Sequence, residues 1–112
     1  MKLLRIGPAG SERPAVLDSA GVARDVSSVV SDYSPETIGP DLIARLRAAD
    51  LSSLPALPAD ARIGSPVSRT GHFIAIGLNY ADHAAETGAA IPHEPILFSK
   101  APSSLSGPYD DV

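Results

Sequence analysis

Phe73-Ile74-Ala75-Ile76-Gly77-Leu78-Asn79-Tyr80-Ala81-Asp82-His83-Ala84-Ala85-Glu86 is the stretch on which the reading of this chain turns. Its apolar, β-branched opening predicts a strand over His72–Leu78. A short helix follows and stops at Gly88, where glycine accepts the left-handed conformation that ends helices. On that helix His83 and Glu86 stand three residues apart and share a face, with Cβ atoms about 5–6 Å from each other. A histidine and a carboxylate that close can share a proton or a water, the raw material of general acid–base catalysis. Solvated pairs at this spacing outnumber catalytic ones, but a strand feeding directly into the helix is a setting in which α/β proteins place chemistry. Asn79 is a candidate helix cap, and Asp82 suits the positive end of the helix dipole.

Downstream, Pro92 and Pro95 bracket a turn, and Ile96–Ser99 reads as a buried strand closed by Lys100. A lysine in that place either snorkels to solvent or faces an anion. His72 and His93 read as surface or turn residues. Ala101–Pro108 is a loop rich in serine, proline and glycine.

Upstream, Lys2–Ile6 is a strand candidate closed by Gly7-Pro8, with a polar loop as far as Pro14. Ala15–Leu17 and Val22–Val26 flank the turn Asp18-Ser19-Ala20-Gly21 and predict a hairpin. Val29, Val30 and Tyr33 either extend it or begin a loop. Gly39-Pro40-Asp41 opens a helix whose apolar stripe is Leu42, Ile43 and Leu46. Leu51, Leu54 and Leu57 pin an irregular or 3₁₀ segment, and residues 62–69 continue as an extended connector. The predicted class is α+β, mainly β. A β-rich N-terminal domain with one helix spans 1–70, and a second domain begins at 71–112.

Nine basic and 13 acidic residues give a formal charge of −4, with no run of like sign to suit nucleic acid or an anionic membrane. There is no cysteine, which excludes disulfides and thiolate metal sites. The opening apolar run is too short for a signal peptide, and no stretch approaches the ~18 apolar residues of a membrane span. A soluble cytoplasmic protein is the expectation. Gly7-Pro8-Ala9-Gly10 is no phosphate loop, and neither a dinucleotide fingerprint nor a nucleophile elbow is present.

The segment Phe73–Glu86, with Glu94-Pro95-Ile96-Leu97-Phe98-Ser99-Lys100 and Gly107-Pro108-Tyr109-Asp110-Asp111-Val112, resembles the fumarylacetoacetate hydrolase family. The opening Lys2–Gly10 and the hairpin Leu17–Asp25 resemble the N-terminal domain of its bacterial two-domain members. The resemblance implies a small β-rich domain followed by a rolled, mixed β-sheet catalytic domain. It implies hydrolysis of a carbon–carbon bond in 2,4-diketo acids or acylpyruvates with Mg²⁺ or Mn²⁺, and a homodimer. His83 and Glu86 match the family's His-x-x-Glu and would activate water. Lys100, Asn79 and Tyr80 would face the substrate, a small oxo acid. The family's metal ligands, a Glu-x-Glu and a later Asp, have no match here, so no metal ligand is assigned. Asp110 and Asp111 do not fit that motif. The metal half of the site is expected beyond Val112, and the isolated chain is expected to be inactive.

Two other functions share these residues. A lyase, decarboxylase or isomerase acting on an oxo acid, ureidoglycolate lyase-like chemistry among them, would need the same proton-transfer group. A non-catalytic module in which residues 1–70 serve assembly would need none.

Overall fold

In a computed structural model, which describes residues 1–111, the first strands form where the sequence carries short apolar runs closed by turn residues. Val112, the last residue of the segment Gly107–Val112, lies outside the described residues. Strands β1 (Lys2–Ile6), β2 (Arg13–Leu17) and β3 (Ala23–Asp25) make an antiparallel sheet in the order β1-β2-β3. Leu4 lies opposite Ala15, and Ala15 opposite Asp25, so β2 is central. Asp18 builds the β2–β3 turn by accepting the backbone N–H groups of Ala20 and Val22, while Gly21 supplies a φ of 79°.

Strand β2 begins two residues before the expected hairpin arm and takes in Pro14, which had been placed in the loop. Pro14 lies opposite Arg5, whose carbonyl turns away from β2 to accept the N–H of Gly64. The pair is therefore of the non-hydrogen-bonded kind, where proline's missing N–H costs no bond to β1.

The connector between residues 55 and 64 does more than span. Gly7 N–H donates to Arg62 and Gly64 N–H to Arg5, covering the C-terminal end of the outer edge of β1. Asp25 N–H donates to Pro55 and Leu57 N–H to Ala23, covering the outer edge of β3. The C-terminal end of the β1 edge and the edge of β3 are thus kept from pairing with another chain.

Helix α1 (Pro40–Ala48) starts with proline in its first turn, as expected. Leu42 and Leu46 enter a core with Val16, Val26, Val30 and Tyr33, and Leu51 and Leu54 pack on its margin. Ile43 is only half-buried. Tyr33 is fully buried and donates its hydroxyl to the Ala15 carbonyl at 3.0 Å. Burial, helped by the charge of Asp32, pushes its pKa up to about 12.

Charged residues tie the loops of this unit together. Arg5 reaches Asp32 at 2.7 Å and Glu12 at 3.3 Å, and Arg62 reaches Glu12 at 2.9 Å and Asp110 at 2.6 Å. Arg62 grips Asp110 through two nitrogens, and the same carboxylate accepts the N–H of Gly107. A Cβ on Gly107 would run into the Ile63 carbonyl, so only glycine fits.

Residues Met1–Thr70 and Leu105–Val112 make one compact unit, and Gly71–Ser104 make another. The expected partition placed 105–112 with the second. The Arg62–Asp110 pair and the close approach at Gly107 hold their described part to the first. The second unit pairs β4 (Phe73–Gly77) antiparallel with β5 (Ile96–Lys100), with a six-residue helix α2 (Ala81–Glu86) between them. The expectation of a buried strand at Ile96–Ser99 is corrected, because every residue of β5 is exposed. A ribbon of two strands has no layer of its own to cover its faces. Two antiparallel sheets with few helices make the class α+β, mainly β. No helix among the described residues is long and apolar enough to cross a membrane.

Candidate functional site

Strand β4 hands the chain to α2 through a strained corner. Leu78 adopts a φ of 48°, a left-handed conformation that a non-glycine residue holds at a cost of roughly 1–2 kcal/mol. Nothing in a leucine advertises that geometry, which asparagine or glycine would adopt more readily. Asn79 does not cap α2: the cap position is Tyr80, with no side-chain hydrogen bond. The left-handed turn at Leu78 moves the start of the helix one residue beyond the expected cap.

Ala84 is the buried residue of α2, and the rest of the helix faces outward. Its end is a Schellman motif. Gly88 N–H donates to Ala85 and Ala89 N–H to Ala84, with Gly88 at a φ of 66°. Thr87 closes the last turn by donating its hydroxyl to the carbonyls of His83 and Ala84. The helix is therefore short but fixed at its C-terminal end.

On its outer face His83 Nδ1 lies 3.8 Å from Glu86 Oε2, with 57% and 78% of the two side chains exposed. The separation is longer than a hydrogen bond, and small side-chain rotations close it. The pair is in register, open to solvent and free of other ion pairs among the described residues.

The remaining site candidates fall in two further places. Asn79 lines an open cleft of about 370 Å³ with Leu78, Ile91, His93, Glu94 and Pro95. His93, read from sequence as a plain turn residue, thus shares a cleft wall with Asn79. The signal that could have found it is its position between Pro92 and Pro95, which curl the turn back toward the end of β4. Tyr80 is exposed. Lys100 stands over two aromatic rings, with Nζ 5.7 Å from the centroid of Phe73 and 5.9 Å from that of Phe98. The structure brings His83 and Glu86 together. No hydrogen bond or ion pair among the described residues joins them to Asn79, Tyr80 or Lys100.

The described residues do not fit a divalent cation. No three histidine or acidic side chains among them gather to hold one, and His83 with Glu86 offers two donors where Mg²⁺ or Mn²⁺ wants about six. Asp110 is spoken for. The Arg62 guanidinium and the Gly107 N–H hold its carboxyl below the usual range against the opposing effect of burial.

No protein-family model matches the chain. The chain is 51% identical, over all 112 of its residues, to a protein of Burkholderia orbicola strain MC0-3 named "Putative hydrolase". A protein of Burkholderia ambifaria strain MC40-6, with the same description, is 50% identical over the same span. The chain spans about 40% of the length of these curated relatives. Their names give a reaction class and stop short of a substrate or a metal.

Proposed function

We propose that the chain is the N-terminal part of a hydrolase of the fumarylacetoacetate hydrolase family, one that cleaves a carbon–carbon bond in a 2,4-diketo acid. The observation that carries this reading is the pairing of His83 with Glu86 at 3.8 Å on an open helical face. The hydrolase names of relatives about 50% identical over the whole chain support the reaction class.

The chemistry follows from the side chains. Glu86 faces Nδ1 of His83, which favours the tautomer with its proton there and leaves Nε2 as the base. His83 takes a proton from water, and the hydroxide bonds to the distal carbonyl carbon of the substrate. The bond to the neighbouring methylene carbon breaks, and its electron pair becomes the enolate of pyruvate. His83 then returns the proton to that carbon, so one water is consumed and a carboxylic acid and pyruvate leave. Lys100 would meet the substrate carboxylate, and Asn79 and Tyr80 would hydrogen-bond its oxygens. The divalent ion that the family resemblance implies would be held by residues other than those described.

The test replaces the matched 40% of the Burkholderia orbicola protein with this chain and supplies acylpyruvates with Mg²⁺. Pyruvate and the second acid should appear in equal amounts. Release of carbon dioxide, or isomerisation without uptake of water, would instead place the protein among the lyases, decarboxylases or isomerases.

A further inference from the structure

The chain has two phenylalanines, and both stand beneath Lys100. Strand register explains how. Phe73 is the cross-strand partner of Lys100, and Phe98 precedes Lys100 by two residues, so all three side chains share one face of the ribbon. Leucine or valine would suit a strand there equally well but carries no ring quadrupole. Two ring faces attract an ammonium without occupying it as a carboxylate partner would. No ion pair among the described residues engages Lys100, although the chain carries 13 acidic side chains. Of the nine basic residues, Arg5, Arg13, Arg24, Arg62 and Arg69 each hold a carboxylate, while Lys2, Arg45 and Arg47, like Lys100, hold none among the described residues; Lys100 differs from these three in standing over two rings.

We infer that Phe73 and Phe98 are positioning residues that hold Lys100 as an unneutralised receiver for the carboxylate of an oxo acid. The rings occupy one side of the ammonium and restrict a long, rotamer-rich side chain. The side of the ammonium away from the rings leaves N–H donors for an incoming anion. This deepens the hydrolase reading and rests on it for the identity of the acid.

The test is NMR of Lys100 in the 112-residue chain, with pyruvate as the probe. Ring currents should displace the Lys100 Hε resonances upfield, and Phe73→Leu or Phe98→Leu should each remove part of that displacement. Pyruvate should shift the Lys100 side-chain signals saturably, and acetone, which keeps the carbonyl and lacks the carboxylate, should not. Each leucine variant should weaken pyruvate binding by about two- to fivefold, the worth of one partly exposed cation–π contact. Phe98→Tyr, which keeps the ring, should restore it, and Lys100→Met should abolish it. Pyruvate binding unchanged in both leucine variants, or no response of Lys100 to pyruvate, would overturn the inference. Neither result bears on water activation by His83. Conversely, a hybrid protein that fails to hydrolyse acylpyruvates would defeat the hydrolase reading and leave these resonances to be judged separately.

Discussion

The two units of this chain handle the same kinds of residue in opposite ways. Residues 1–70 bury Val16, Val26 and Tyr33 completely, cover the β3 edge and one end of the β1 edge of their sheet, and commit most of their arginines to carboxylates. Residues 71–104 leave Ile74 and Leu97 about two-thirds exposed and set His83, Glu86 and Lys100 in the open. Fully satisfied groups make a scaffold, and unsatisfied ones are available for chemistry. The contrast places the groups that hold the fold in the first unit and leaves polar groups of the second open to solvent, as the proposed chemistry requires, and it can be broken at several points.

The largest effect on stability is expected at Tyr33. Tyr33→Ala empties the centre of the core and should cost about 3–5 kcal/mol in urea unfolding followed by circular dichroism. Tyr33→Phe, which loses only the bond to Ala15, should cost about 1 kcal/mol. Gly107→Ala comes next at about 1–3 kcal/mol, because the methyl group meets backbone at Ile63 rather than a side chain that can move.

Acid should destabilise the first unit through its paired carboxylates. Burial alone would raise the pKa of Glu12, but the Arg62 hydrogen bond, its own backbone and the charges of Arg5 and Arg62 outweigh it and lower the value. Asp32 and Asp25 follow the same pattern, with Arg5 acting on the first and Ser27 and Arg13 on the second. A carboxylate whose folded pKa is depressed stabilises the fold fully above its unfolded value, here 4.5 for Glu12 and 3.8 for the aspartates. That contribution is lost as pH falls below those values toward the folded ones. Unfolding midpoints in urea should therefore hold steady above about pH 5 and drop below pH 4. Asn at Asp110 (Asp110→Asn) should lessen that drop, and amide exchange should quicken in residues 105–111 as the Arg62 grip is weakened.

The smallest effects are expected on the ribbon. Ile74→Ala and Leu97→Ala should each change global stability by less than about 0.5 kcal/mol. Amides of β5 should exchange by local opening, faster than those of β2. A loss of several kcal/mol from either ribbon variant would erase the division between the two units.

Much of this was readable from local sequence, where short-range chemistry sets the structure. Gly39-Pro40-Asp41 announced α1, and Gly88 marked the end of α2 through the left-handed backbone it permits. The His83–Glu86 proximity follows from helical spacing alone. Apart from the local left-handed turn at Leu78, which shifts the helix cap from Asn79 to Tyr80, what the sequence does not show depends on partners distant in the chain. The edge pairing by residues 55–64, the bond of buried Tyr33 to Ala15 and the links from Arg62 to Glu12 and Asp110 join positions at least 18 residues apart. The apolar composition of Ile96–Ser99 was read as burial, because a strand's composition records the surface it suits and not whether its own unit covers it.

The claim at the centre is that His83 serves catalysis and not the fold. It is tested most directly by comparing hydrolysis of an acylpyruvate in the hybrid protein with and without His83→Ala, alongside unfolding of the same two proteins. The expected result is a loss of about 10²–10⁴ in kcat with stability unchanged within about 0.5 kcal/mol. Undiminished kcat in the alanine variant would contradict it.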